Sequence, residues 1–144
     1  KAVTLNFRLK ITPILVPHRD EYSETVAFVV AGPRRSVLWL PDIDKWKKFK
    51  QPIESVIQGV DRAYLDGTFY AADELPGRVM ADIPHFFIVE SMARFSNLPA
   101  AERSKVRFIH LNHSNPALNK DSEAAKEIRK GGFSVGEQAE RFAL

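Results

Sequence analysis

The sequence holds 144 residues, 44% hydrophobic and 27% charged, the balance of a globular chain of about one domain rather than a disordered one. No apolar run approaches the ~18 residues of a membrane span, and the absence of cysteine excludes disulfide frameworks, thiolate zinc sites and thiol nucleophiles, so any metal must be held by His, Asp or Glu. The net charge of +3, from 21 Lys and Arg against 18 Asp and Glu, is scattered along the chain and too small to argue for nucleic acid binding.

The chain opens on Lys1-Ala2-Val3 without Met. Val3, Leu5, Phe7, Leu9 and Ile11 alternate with polar residues at once, the period of a half-buried strand, so the sequence reads as beginning inside a larger unit. Asn6 is a point where this run can break into a hairpin. Pro13 and Pro17 confine Ile14-Leu15-Val16 to a strand end or an edge. After the polar His18-Arg19-Asp20-Glu21, a strand is predicted over Thr25 to Val30, a turn over Ala31 to Arg35, and a third strand over Ser36 to Leu40.

From Asp44 the period changes. Ile53, Val56, Ile57 and Val60 share one helical face, Pro52 suits the first turn of that helix, and Asp44 to Gln51 reads as a short turn or helix leading in. Ala63-Tyr64-Leu65 is a short buried strand, followed by Asp66-Gly67-Thr68-Phe69 and a polar loop to about His85. Ile88, Met92 and Phe95 predict another helix, Val106 to Leu111 a strand, and Asp121 to Lys130 a helix with Asp121 as N-cap and Gly131 as C-cap. Phe133 to Val135 and Arg141 to Leu144 read as closing strands. A hairpin-like first third followed by alternating helices and strands is an α/β layer pattern.

In such sheets functional side chains cluster beyond the strand ends. Here each predicted strand leads to an acid or a histidine: His18, Asp42, Asp66 and His113. Imidazole and carboxylate suit zinc, iron or manganese. Each residue also has an ordinary structural explanation. His18 lies in a charged loop, one of Asp42 and Asp44 caps the following helix, Asp66 makes an Asx-turn before Gly67, and His110 alternates with His113, so that one of the two faces the core. The basic run Lys45, Lys47, Lys48 and Lys50 around Trp46 reads first as a solvated face, and Trp39 and Trp46 read as core residues. Gly131-Gly132 fits a helix C-terminus better than a phosphate cradle.

Val37-Leu38-Trp39-Leu40-Pro41-Asp42, Leu65-Asp66-Gly67-Thr68-Phe69 and Ile109-His110-Leu111-Asn112-His113-Ser114-Asn115-Pro116 together resemble, in order and spacing, the C-terminal half of metallo-β-lactamase-fold proteins. The closest likeness is to the pyrroloquinoline quinone biosynthesis protein B group, with the tRNA 3′-processing endonucleases more distant. The resemblance implies one half of an αββα sandwich, residues 1–144 forming the C-terminal half of one domain. It also implies that the His-x-His-x-Asp-His motif, absent from this sequence, lies in a missing N-terminal half that would be the chain's partner.

Carried over residue by residue, the resemblance makes His18, Asp42 and His113 ligands of one or two zinc ions, with iron or manganese as alternatives. Asp44 competes with Asp42 for that role. Asp66 would orient a ligand histidine. Met80-Ala81-Asp82-Ile83-Pro84-His85 falls where relatives carry a Gly-His element, so Asp82 and His85 are the candidates for proton transfer. The implied activity is metal-dependent hydrolysis of a small molecule by metal-bound hydroxide. The competing readings are a non-catalytic carrier on the same fold and an RNA-processing nuclease. A homodimer is compatible with the sequence, and the compartment, cytoplasmic or periplasmic, is not encoded in it.

Overall fold

The computed structural model describes residues 1–19, 21–80 and 83–144. Among them, seven strands form one mixed sheet in the order of the chain: β1 (Val3–Asn6), β2 (Leu9–Val16), β3 (Thr25–Ala31), β4 (Ser36–Leu40), β5 (Arg62–Asp66), β6 (Val106–Ile109) and β7 (Ser134–Val135). The pairs from β1 to β4 are antiparallel and those from β4 to β7 parallel. The helices are α1 (Ile53–Gln58), α2 (Ile88–Phe95), α3 (Ala100–Arg103) and α4 (Glu123–Lys130), with 3₁₀ turns at Trp46–Lys48 and Pro116–Leu118.

Asn6 breaks the first apolar run into the β1–β2 hairpin, because its side-chain oxygen accepts the amides of Arg8 and Leu9 at 2.8 and 3.0 Å. Pro13 does not end its strand, since β2 continues to Val16. Pairing with β1 stops at Ile11, so Pro13 sits where only β3 flanks β2, and a missing N–H is tolerated on such a one-sided stretch. In α4 the cap is Ser122 rather than Asp121, its hydroxyl accepting the Ala125 amide at 3.1 Å. Gly131 closes that helix as expected. The four-residue α3 after Pro99 is too short to carry a periodic signal.

The sheet's two faces differ. Leu38, Leu40, Ala63, Leu65, Val106 and Phe108 lie buried with Ile53 and Ile57 of α1, Phe95 of α2 and Ile128 of α4. Each of these side chains except that of Ala63 contributes roughly 1.5–3 kcal/mol. Trp46 belongs to this core, stacked on Phe86 at 4.2 Å with its indole N–H donated to Ser91 Oγ at 3.0 Å. The opposite face is also apolar but bears no helix among the described residues. The register aligns Pro13, Phe28, Trp39 and Tyr64 across it, and Leu15, two residues along from Pro13, shares that side. Leu15 is 68% exposed and Trp39 44%, so Trp39 does not join the core.

Residues 141–144 form no strand. Their segment is held on this open side by charge instead of sheet pairing: Glu140 pairs with Arg62 and Arg107. The Phe142 ring packs against the guanidinium groups of Arg35 and Arg62, at 4.4 and 4.2 Å. No helix among the described residues is long and apolar enough to cross a membrane.

Candidate metal centre

Because β2 and β4 are both antiparallel to β3, and β5 and β6 are parallel to β4, the carboxyl ends of β2, β4, β5 and β6 share one edge. The Asp44 amide donates to the Pro17 carbonyl at 2.7 Å, which fastens the loop after β4 to the loop after β2. His18 and Asp42 thereby meet, with Nε2 at 3.2 Å from Oδ2. From the long loop before α2, His85 enters with Nδ1 2.8 Å from Asp66 Oδ2 and 3.5 Å from Asp42 Oδ1. The rings of His18 and His85 are 5.5 Å apart.

Asp66 is fully buried, and four donors surround it. Oδ1 accepts the amide and the hydroxyl of Thr68 at 2.8 and 2.7 Å, while Oδ2 accepts the Ile43 amide at 3.2 Å and faces His85 Nδ1. A carboxylate offers about four acceptor sites, so Asp66 is saturated. Its partner His85 must carry the Nδ1 proton, because an ionised carboxylate can only accept. Burial draws the His85 imidazole down, but the hydrogen bond and charge of Asp66, with Asp42 and Asp44 adding, outweigh it and raise the pKa above the ordinary value.

The Asp66-Gly67-Thr68 corner is built for close approach. The Gly67 amide donates to the Ile109 carbonyl at 2.8 Å, and a Cβ at Gly67 would stand 2.9 Å from Phe108 Cβ. Buried Asn115 donates to the Gly67 and Thr68 carbonyls at 2.9 and 3.2 Å. The Thr68 oxygen also lies 3.2 Å from His110 Nδ1, and His110 has a left-handed φ of 63°, a conformation that non-glycine residues rarely adopt. Since the Thr68 proton goes to Asp66, His110 donates to Thr68.

The strand-end residues are thus brought together in part. His18, Asp42, Asp66 and His85 converge. His113 is exposed, and no described hydrogen bond or ion pair joins it to the group; His110 is the histidine beyond β6 that reaches Thr68. Asp82 lies outside the described residues. Asp44 turns away from the group: it accepts the Lys45 amide at 2.7 Å and pairs with Lys48. Burial pushes its carboxyl up, yet the Lys48 and Lys45 hydrogen bonds hold it below the usual value, helped by the charges of Lys48 and His18. Lys45 pairs with Glu90, so half of the basic run is neutralised locally. Thr68, His110 and Asn115 were not singled out from sequence as site residues, although the Asp-Gly-Thr and Ser-Asn-Pro elements contain or flank them.

Asp42, Asp66 and His85 each place a ligand-type atom within 4.8 Å of the others; Asp66 and His85 are already bonded to each other, which leaves Asp42, with His18 beside it, to face a metal. In this contacting pair, one further atom of each side chain, His18 Nδ1 and Asp42 Oδ1, is buried without a hydrogen-bond partner among the described residues. Such orphaned atoms are costly in a folded protein unless something coordinates them.

Residues 1–111 match the family described as Beta-lactamase superfamily domain. The chain belongs to this superfamily. Among curated relatives it is 27% identical to the coenzyme PQQ synthesis protein B of Acinetobacter baumannii strain SDF, over 85% of this chain and 43% of that protein. It is 26% identical to the protein of the same name from Methylobacterium nodulans, over 81% of this chain and 40% of the relative. The fold matches the crystal structure of Zn²⁺-bound PqqB from Methylobacterium extorquens with a TM-score of 0.79 at 18% identity, covering 100% of this chain and 53% of that one. The superfamily chain described here therefore spans about two fifths of the curated relatives it matches, and about half of the solved one.

Proposed function

We propose that this chain is the C-terminal half of a zinc-dependent hydrolase related to PQQ synthesis protein B, acting on a small molecule. The observation that carries the reading is the pair of orphaned buried atoms, His18 Nδ1 and Asp42 Oδ1, beside a histidine held by a buried carboxylate. His18 and Asp42 would hold the metal; zinc in such a His and Asp site acts as a Lewis acid and lowers the pKa of water.

The other residues position and carry protons. Asp66 holds the His85 ring and keeps its proton on Nδ1, so Nε2 is the nitrogen that exchanges a proton with substrate in the cleft that His85 lines. Thr68 locks Asp66 from the other side, and His110 locks Thr68. The remaining ligands would come from an N-terminal half packed on the open apolar face of Leu15, Phe28 and Trp39, completing the αββα sandwich. An uncovered face of that kind is what a second layer buries.

Metal analysis of the full-length protein and its Asp42→Ala variant tests the reading. Near-stoichiometric zinc in the wild type and a loss of at least tenfold in affinity in the variant are expected. Unchanged metal content in the variant would remove Asp42 from the site. A zinc-loaded protein that turns over no ester, amide or phosphodiester would reassign the site to ligand carriage.

A further inference from the structure

The metal-centre residues open onto a cleft of about 560 Å³ whose lining includes His18, His85 and Thr68 together with Arg19, Arg78 and Phe69. The acids nearby are engaged in whole or in part: Asp66 by His85 and Thr68, Asp44 by Lys48, and one oxygen of Asp42 by His18. Among the described residues, no carboxylate pairs with Arg19 or Arg78, and both are exposed. Two permanent positive charges therefore stand at the mouth of a site whose interior is acidic. One wall is apolar, with Phe69 set edge-on to His85 at 6.2 Å and Ile83 beside it.

We infer that Arg19 and Arg78 form an oxyanion-binding subsite, and that the substrate is a small molecule with an apolar body and a terminal carboxylate or phosphate. A guanidinium presents a planar fork of donors that matches either group with paired hydrogen bonds. It stays charged at every working pH. The anion would be caught at the rim, its apolar portion laid along Phe69, and the reacting bond delivered toward His85. The delivery step rests on the metal-centre reading; capture of the anion does not.

The test uses full-length protein dialysed free of metal, so that no anion is held by coordination. Glutarate and inorganic phosphate are each titrated calorimetrically at low salt into wild type, Arg19→Gln, Arg78→Gln and the double variant. Saturable binding of glutarate, weakened about tenfold by each single change and lost in the double variant, supports a carboxylate subsite. The same pattern with phosphate alone supports a phosphate subsite. No saturable binding of either probe, or unchanged binding in the double variant, overturns the proposal. Zinc content of the wild type and the double variant, measured before dialysis, separates the two readings: anion capture by a wild type that holds no zinc leaves the arginine subsite standing and removes the metal centre, and zinc retained without anion capture does the reverse.

Discussion

Asp66→Asn is the most informative single substitution, because all four groups around this fully buried carboxylate are donors. The Ile43 amide and His85 Nδ1 share one oxygen, and the Thr68 amide and hydroxyl share the other. An asparagine keeps one acceptor and turns the other position into an NH₂ donor. If the NH₂ faces Thr68, the hydroxyl rotates to accept but the Thr68 amide is orphaned. If it faces His85, the ring must move its proton to Nε2 and the Ile43 amide is orphaned. Either arrangement leaves one buried N–H unpaired, at about 1–3 kcal/mol, and turns charge-assisted bonds into weaker neutral ones.

The total loss should be about 3 kcal/mol, or roughly a hundredfold in the folding equilibrium. With a urea slope of about 2 kcal/mol/M, the midpoint of the full-length protein should fall by about 1.5 M. With the NH₂ toward His85 the consequence is also chemical: a ring with its proton moved to Nε2 can no longer accept there, so turnover falls further than stability accounts for. A midpoint within about 0.3 M of wild type would refute the account of Asp66 as a saturated, ionised acceptor.

Two further predictions concern the frame around the site. Glu54 sits below its ordinary pKa of 4.5, chiefly through the Arg94 hydrogen bond, with burial opposing. Its stabilisation is therefore present above about pH 4.5 and lost as pH falls through the depressed value; Arg94→Ala should cost about 0.5 kcal/mol at neutral pH for this half-exposed pair, and urea melts of the two proteins should converge in acid. Gly67→Ala places a Cβ 2.9 Å from Phe108 Cβ and 3.2 Å from the Ile109 carbonyl; both neighbours belong to β6, so thermal melts should show a loss of about 1–3 kcal/mol, with the His85–Asp66 contact loosened as β5 and β6 part.

Much of the frame was legible because each signal was local. The alternation in β2 to β4, the helical spacing of Ile53, Val56 and Ile57, and the acid or histidine after each strand are short-range patterns, and the shared edge follows from the parallel run of β4 to β6. His18, Asp42 and Asp66 could therefore be placed together from the sequence. What could not be read depends on directions that spacing does not encode. Whether His110 or His113 turns toward Thr68 is decided by the left-handed backbone at His110. Asp42 and Asp44 were indistinguishable until the Lys45 amide and Lys48 engaged Asp44. Arg141 to Leu144 reads as a closing strand, but Glu140 and Phe142 find arginines instead of a ladder.

The strictly sequential strand order has a consequence for how the molecule is made. Each strand pairs with the one synthesised just before it, so loop closures are short among β1 to β4 and long across the three parallel connections, from β4 to β5, from β5 to β6 and from β6 to β7. The antiparallel hairpins therefore form first, and the parallel pairs, which need long loops closed, form more slowly. The cluster of His18, Asp42, Asp66 and His85 draws on the ends of β2, β4 and β5 and on the loop before α2, so it assembles late, after the hairpins and the first parallel pair exist. Capture of a metal there would then report that β2, β4 and β5 have closed in register.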